Sequence, residues 1–122
     1  MITISKFPYY LCFLIKRFKI QDNTFKKIQS SVDFPEILNI YPHVDKEENH
    51  SFETKTQEKD CEYELFAVNE HQGTIKSGHY VTFVNVIGDW YCFNDSSVKK
   101  DNNYKTENSL VLFYKRKNIP EQ

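Results

Sequence analysis

The chain has 122 residues, of which 39% are apolar and 16% aromatic, and its formal net charge is −1. That length allows one domain with a modest core, and the apolar content excludes a wholly disordered chain. A net charge so near zero provides no global drive toward nucleic acid or a membrane surface, and neither is expected as a partner.

Charge is still unevenly placed. Lys6, Lys16, Arg17, Lys19, Lys26 and Lys27 outnumber Asp22 in the first thirty residues, and 45–70 is mostly acidic, a pattern that reads as a solvated surface. In chain order, "YYLCFLIKRFKI" (9–20) is a short aromatic and aliphatic run ending in charge, and it predicts a buried strand. "QDNT" (21–24) is turn chemistry, and "FKKIQSSVDF" resumes a weaker strand pattern, so 9–34 is expected to be a hairpin that Pro35 ends. "EILNIY" is a short apolar patch of open assignment. The segment 42–60, with His43 and His50, is polar and aperiodic and reads as a variable surface loop.

"CEYELFAVNEH" (61–71) alternates, with Tyr63, Leu65 and Ala67 on one face and Glu62, Glu64 and Phe66 on the other. "QGTIKSG" is a glycine-bracketed loop. "HYVTFVNV" and "DWYCFND" predict a second hairpin, "VKKDNNYKTENS" a polar loop with room for a helical turn, and "LVLFYKRK" a last strand. No long stretch has a helical period, so the expectation is a mostly antiparallel sheet with sequential strands paired.

Cys12, Cys61 and Cys92 are odd in number and widely spaced, with no Cys-x-x-Cys and no histidine at ligand spacing. No zinc site, no other metal, no cofactor and no disulfide framework is expected, and a reducing compartment, cytosol or nucleus, fits best. Cys12 and Cys92 lie inside strand patterns and read as core thiols; Cys61, after a polar loop, is expected to be the most exposed. The run Tyr9–Ile15 is too short to span a bilayer, and with no small-residue cleavage site it does not read as a signal peptide.

The second hairpin carries the chemistry. With Ile87-Gly88 as a two-residue loop, Val86 opposes Asp89 and, counting outward, His79 opposes Ser96. Asn94 then shares a face with His79 at a diagonal Cβ separation of roughly 7–8 Å. A three-residue loop reverses the parity and favours Asp95. A histidine beside an Asn or Asp suits a base with an orienting acceptor, since one ring nitrogen takes a proton while the other is held.

Five ordered blocks resemble the C-terminal half of the catalytic domain of the ubiquitin-specific proteases, papain-like cysteine deubiquitinases. "FPYYLCFLIKRF" (7–18) is similar to the family's Leu-Pro…Leu-x-Leu-x-Lys-Arg-Phe block and "VDFPEILNI" (32–40) to its Phe-Pro…Leu-x-Leu block. "YELFAVNEHQG" (63–73) resembles the Tyr-x-Leu-x-Ala-Val-x-x-His-x-Gly strand, "SGHYVTFVNVIGDWYCFNDSSV" (77–98) the histidine box, and "SLVLFYKR" (109–116) the closing strand.

The resemblance spans about 7–116 and implies that 1–122 is a partial catalytic domain of an α+β family fold. This chain would be the mostly antiparallel palm and fingers sheet half, with the helical half missing and an apolar face left for it. It also implies that His79 is the catalytic base, Asn94 the third triad member and Asp95 an auxiliary, with Asn94 and Asp95 not separable by sequence. Tyr80 and His71 would line the channel for the ubiquitin Gly-Gly tail, with Arg17 and Phe18 near it. Ubiquitin, ubiquitinated proteins and the N-terminal catalytic half are the implied partners.

The family nucleophile is a cysteine at a helix start in that other half, and none of the three cysteines here sits in such a motif. The chain is therefore expected to be one part of an enzyme that hydrolyses isopeptide bonds at the C-terminal glycine of ubiquitin, inactive alone. An inactive ubiquitin- or partner-binding remnant is the alternative, and an unrelated all-β interaction domain a third.

Overall fold

A computed structural model describes residues 7–41 and 61–118. Among them lie nine strands: β1 (Tyr10–Leu14), β2 (Phe18–Gln21), β3 (Thr24–Lys27), β4 (Ile37–Asn39), β5 (Glu62–Gly73), β6 (Gly78–Val86), β7 (Asp89–Asn94), β8 (Ser97–Lys100) and β9 (Ser109–Arg116). No α-helix occurs among the described residues, in keeping with the missing 3.6-residue period. The variable segment 42–60, with His43 and His50, lies outside the described residues.

The main sheet has the order β1-β9-β5-β6-β7-β8, with β4 also paired to β5, while β2 and β3 form a separate two-stranded sheet. Sequential strands pair in β2–β3 and from β4 through β8, but β1 does not pair with β2 nor β3 with β4, and β9, the last strand, enters between β1 and β5. The chain clusters into two units; of the described residues, 7–11, 35–41, 61–65 and 114–118 belong to the first, and 12–34 and 66–113 to the second.

In the first unit β4 pairs with the start of β5 through Ile37↔Glu64, Leu38↔Tyr63 and Asn39↔Glu62. Ile40, Cys61, Tyr63, Leu65 and Tyr114 form its core. The two buried tyrosines satisfy their hydroxyls on proline carbonyls: Tyr63 donates to Pro8 at 2.5 Å and Tyr114 to Pro35 at 2.6 Å. Burial pushes both phenols up, Tyr114 to about 12, so both remain donors at neutral pH.

In the second unit the β6–β7 hairpin has the expected two-residue loop. Ile87 and Gly88 take φ of 50° and 88°, and the Gly88 amide donates to Asn85 Oδ1 at 2.9 Å. Val86 opposes Asp89, and pairing runs outward to Thr82↔Phe93. His79 does not go on to meet Ser96. The chain turns at Asp95-Ser96, with Asp95 at φ 53°, and returns as β8. The expected polar loop with a helical turn is thus in part a strand. β8 is exposed throughout, so it had no apolar alternation to betray it; its backbone ladder on β7 makes it a strand, and its lysines suit a sheet edge.

The opening segment departs most from expectation. It is two short strands, not one buried strand, because Lys16 and Arg17 interrupt the ladder. The hairpin covers only β2 and β3, turning at Asp22-Asn23 with φ of 54° and 61°, and it ends at Lys27 well before Pro35. The cause is Arg17. Its guanidinium takes the carbonyls of Ile28 (3.0 Å) and Ser30 (2.9 Å), while the Ile28 amide makes a last main-chain bond to the Arg17 carbonyl, so beyond Lys27 a side chain replaces the strand ladder in holding those carbonyls.

The cysteines reverse their expected ranks. Cys61 is fully buried, in phase with Tyr63 and Leu65, whereas Cys12 on β1 is exposed and Cys92 half-buried.

Tyr10, Phe13 and Leu14 on β1 and the cross-strand pair Ile20↔Phe25 on the β2–β3 hairpin are all exposed. So much uncovered apolar surface favours association in water. Sedimentation velocity on the purified chain should show concentration-dependent oligomers; a monomer at every concentration contradicts this.

Candidate active site

His79 is the second residue of β6, opposite Gln72 on β5. The Thr82↔Phe93 register puts Asn94 level with Val81, and the two-residue side-chain period puts Val81 and His79 on one face. His79 and Asn94 are therefore diagonal neighbours, close enough for side chains of this length to meet. His79 Nε2 lies 2.6 Å from Asn94 Oδ1. Asp95 Oδ2 is 4.0 Å from the same nitrogen, on a residue whose side chain points largely to water.

The hydrogen bond thus goes to Asn94, and Asp95 stands off as a nearby charge. An amide oxygen only accepts, so Nε2 carries the ring proton and Nδ1 keeps its lone pair. That is the tautomer a proton acceptor needs, on an imidazole 44% open to solvent.

Around it stands an aromatic row. His71 on β5 pairs directly with Tyr80 on β6, ring centroids 5.0 Å apart, and Phe18 on β2 also meets the His71 ring edge-on, at 5.4 Å. His71 is buried, while Tyr80 and Phe18 are exposed. Burial, and secondarily the Lys27 ammonium, lowers the His71 pKa, so its ring is neutral at pH 7.

Gly78 exists in part for His71: a Cβ there would run into the His71 imidazole. Arg17 is 1% exposed and gives Nε to the Ser109 carbonyl at 2.6 Å, in addition to its Ile28 and Ser30 contacts. It holds the backbone behind Phe18.

Two residues that the sequence did not single out are also placed here. Glu70, 2% exposed, accepts from Thr106 Oγ1, and burial raises its pKa. In sequence it shares the phase of Glu62, Glu64 and Phe66 on β5, so nothing there marks it as buried. Lys27 Nζ donates to the carbonyls of His71 and Gly73 and to Asn108 Oδ1, and nothing in a surface-like "FKKI" marks it.

The thiols fit no nucleophile role. Cys61 is fully buried. Cys92 lines a cavity of about 440 Å³ beside Asn94, and burial pushes its pKa up, with Asp101 and Glu70 adding to the effect, the reverse of activation. Cys12 lies on an exposed strand without a helix start. Among the described residues no His, Cys, Asp and Glu group is arranged to hold a metal ion.

The family model for ubiquitin carboxyl-terminal hydrolase matches residues 1–114. The chain is 33% identical over 128 residues to ubiquitin carboxyl-terminal hydrolase 51 of Mus musculus, covering 99% of this chain and 19% of that protein. It is 30% identical over 115 residues to ubiquitin carboxyl-terminal hydrolase 8 of Saccharomyces cerevisiae, covering 91% and 24%. A SAGA DUB module containing Ubp8, solved with ubiquitin aldehyde, matches at TM-score 0.77 and 28% identity, covering 97% of this chain and 26% of that one.

The chain belongs to the ubiquitin carboxyl-terminal hydrolase family, as the five sequence blocks implied. It spans a quarter or less of the length of these curated relatives.

Gly78→Ala should drive the His71 ring from its slot at a cost of about 1–3 kcal/mol, as overpacking does; urea denaturation measures it, and an unchanged midpoint refutes the contact. A second prediction concerns pH. His71 titrates below its unfolded value of 6.5, so the folded state binds fewer protons. Its stabilisation is complete above about pH 6.5 and is lost as pH falls toward the lowered value. The raised Glu70 pKa acts oppositely, its cost growing as pH rises above 4.5. Comparing the wild type with His71→Gln at each pH isolates the histidine: the wild type should lose stability relative to the variant below pH 6.5.

Proposed function

We propose that this chain supplies the general base and its orienting residue to a ubiquitin-specific cysteine protease that hydrolyses isopeptide bonds at the C-terminal glycine of ubiquitin. The observation that carries the reading is the 2.6 Å contact from His79 Nε2 to Asn94 Oδ1, on a chain of this family. The attacking thiolate comes from a cysteine-bearing catalytic segment outside these 122 residues, because none of the three thiols here has an activating environment.

In the assembled enzyme the thiolate adds to the glycine carbonyl. His79, protonated by the thiol through Nδ1, gives that proton to the departing lysine amine. Water then attacks the thioester, His79 takes its proton, and the ubiquitin carboxylate and the thiol are released. Asn94 holds the ring throughout, and Asp95 stabilises its charged form at longer range.

Phe18, His71 and Tyr80 form the wall along which the Gly-Gly tail lies, with Arg17 bracing it from behind. Ubiquitin and ubiquitinated proteins are the partners, a reading supported by the ubiquitin aldehyde bound in the similar DUB module. Three free cysteines support a place in the cytosol or nucleus.

The test grafts this chain in place of the matching segment of the yeast relative and follows hydrolysis of a fluorogenic ubiquitin amide. His79→Ala should lower kcat by about 10³-fold or more, Asn94→Ala by roughly 10²-fold or more, and Asp95→Ala by less than about threefold. Equal losses for Asp95→Ala and Asn94→Ala contradict the assignment of the orienting residue. An inactive graft that still binds ubiquitin leaves the non-catalytic binding module as the function.

A further inference from the structure

The Lys27 ammonium has three donors, and three acceptors converge on it: the His71 carbonyl at 2.6 Å, the Gly73 carbonyl at 2.9 Å and Asn108 Oδ1 at 3.0 Å. A lysine so fully committed is not a solvated surface charge. Asn108 is fixed in turn, since its Oδ1 also accepts from Gln29 Nε2 at 3.1 Å and its carbonyl accepts from the His71 amide at 3.0 Å. The node joins β3, the end of β5 and the turn before β9.

What leaves that node is the loop that delivers His79. Gly73 sits at φ 99°, and the loop closes on itself through Thr74 N–H to the Ser77 carbonyl and Ser77 N–H to Thr74 Oγ1, both 3.1 Å. β6 begins immediately, with Gly73↔Gly78 and Gln72↔His79 in register. Lys27 is also the cross-strand partner of Phe18, whose ring meets His71. The aromatic row and the root of the His79 strand hang on one side chain.

We infer that Lys27 is a positioning residue: by gathering the carbonyls of His71 and Gly73 and the amide of Asn108, it holds the 74–77 loop and sets where Gly78 and His79 enter β6. The inference rests on the proposed function for what is positioned, but the clamp is a property of this chain alone. A tetrahedral ammonium suits three converging acceptors, and the planar fork of arginine does not.

Hydrogen exchange read by mass spectrometry tests it on the whole chain and tolerates self-association. In Lys27→Met, exchange in peptides covering 71–78 should accelerate by about tenfold or more, while peptides covering 61–65 in the first unit change by less than about twofold. Lys27→Arg, which keeps the charge, should recover less than half of the lost protection on a logarithmic scale.

The inference is overturned if 71–78 is unchanged in Lys27→Met. It is equally overturned if 61–65 accelerates in step, which marks global destabilisation, or if Lys27→Arg restores full protection. Should Lys27→Met fail to fold, Asn108→Ala, which removes one acceptor, must accelerate 71–78 by about threefold or more, and no acceleration there overturns the clamp. Ubiquitin titrated into the wild-type chain serves as a separate control: no binding counts against the proposed function and leaves the exchange comparison to judge Lys27.

Discussion

The register of the β6–β7 hairpin is the constraint on which the candidate site depends. Ile87 and Gly88 accept positive φ, so the loop is two residues long and Val86 meets Asp89. Side-chain alternation then leaves no choice about which face His79 and Asn94 occupy. One more residue in the loop would flip Asn94 to the other side and bring Asp95 round. A turn at the far end of the hairpin from His79 thus selects the hydrogen-bond partner of the histidine.

Two buried or committed cations support this hairpin through its neighbours. Arg17 gives Nε and Nη1 to the carbonyls of Ser109, Ile28 and Ser30, and Lys27 gives Nζ to those of His71 and Gly73. Both act on backbone that regular strand pairing leaves unsatisfied, where an unpaired carbonyl would cost about 1–3 kcal/mol. Burial lowers the pKa of each, Arg17 and Lys27 alike, and Glu70 and Glu107 offset this by favouring the charged forms. Among the described residues, the cations before residue 30 therefore divide into the exposed Lys16, Lys19 and Lys26 and these two, which shape the wall around His71.

Where a strand had one covered face, the sequence was readable. β5 as far as Ala67 and β6 from Val81 to Phe83 alternate as their burial does, and the Ile87-Gly88 loop, the Asp22-Asn23 turn and a place for His79 beside an Asn or Asp followed from local pattern, while the choice of Asn94 over Asp95 did not. What escaped was held by long-range or backbone interactions. β8 is a strand only through its ladder with β7. β1 has a core composition but is exposed, and beyond Lys27 the guanidinium of Arg17, the residue before β2, claims the next carbonyls. Cys61 is buried by phase with β5 although a polar segment precedes it. Lys27 and Glu70 look like surface residues in sequence, and only the fold shows what they touch.

The central claim is that Asn94 holds His79 with Nε2 protonated and Nδ1 open to receive a proton. Magic-angle-spinning ¹⁵N spectra of the sedimented, histidine-labelled chain, at a pH where the ring is neutral, test it directly. The account predicts that His79 is the Nε2–H tautomer, and that Asn94→Ala removes this preference while Asp95→Ala leaves it intact. A wild-type His79 protonated on Nδ1, or a tautomer indifferent to Asn94→Ala, would contradict it.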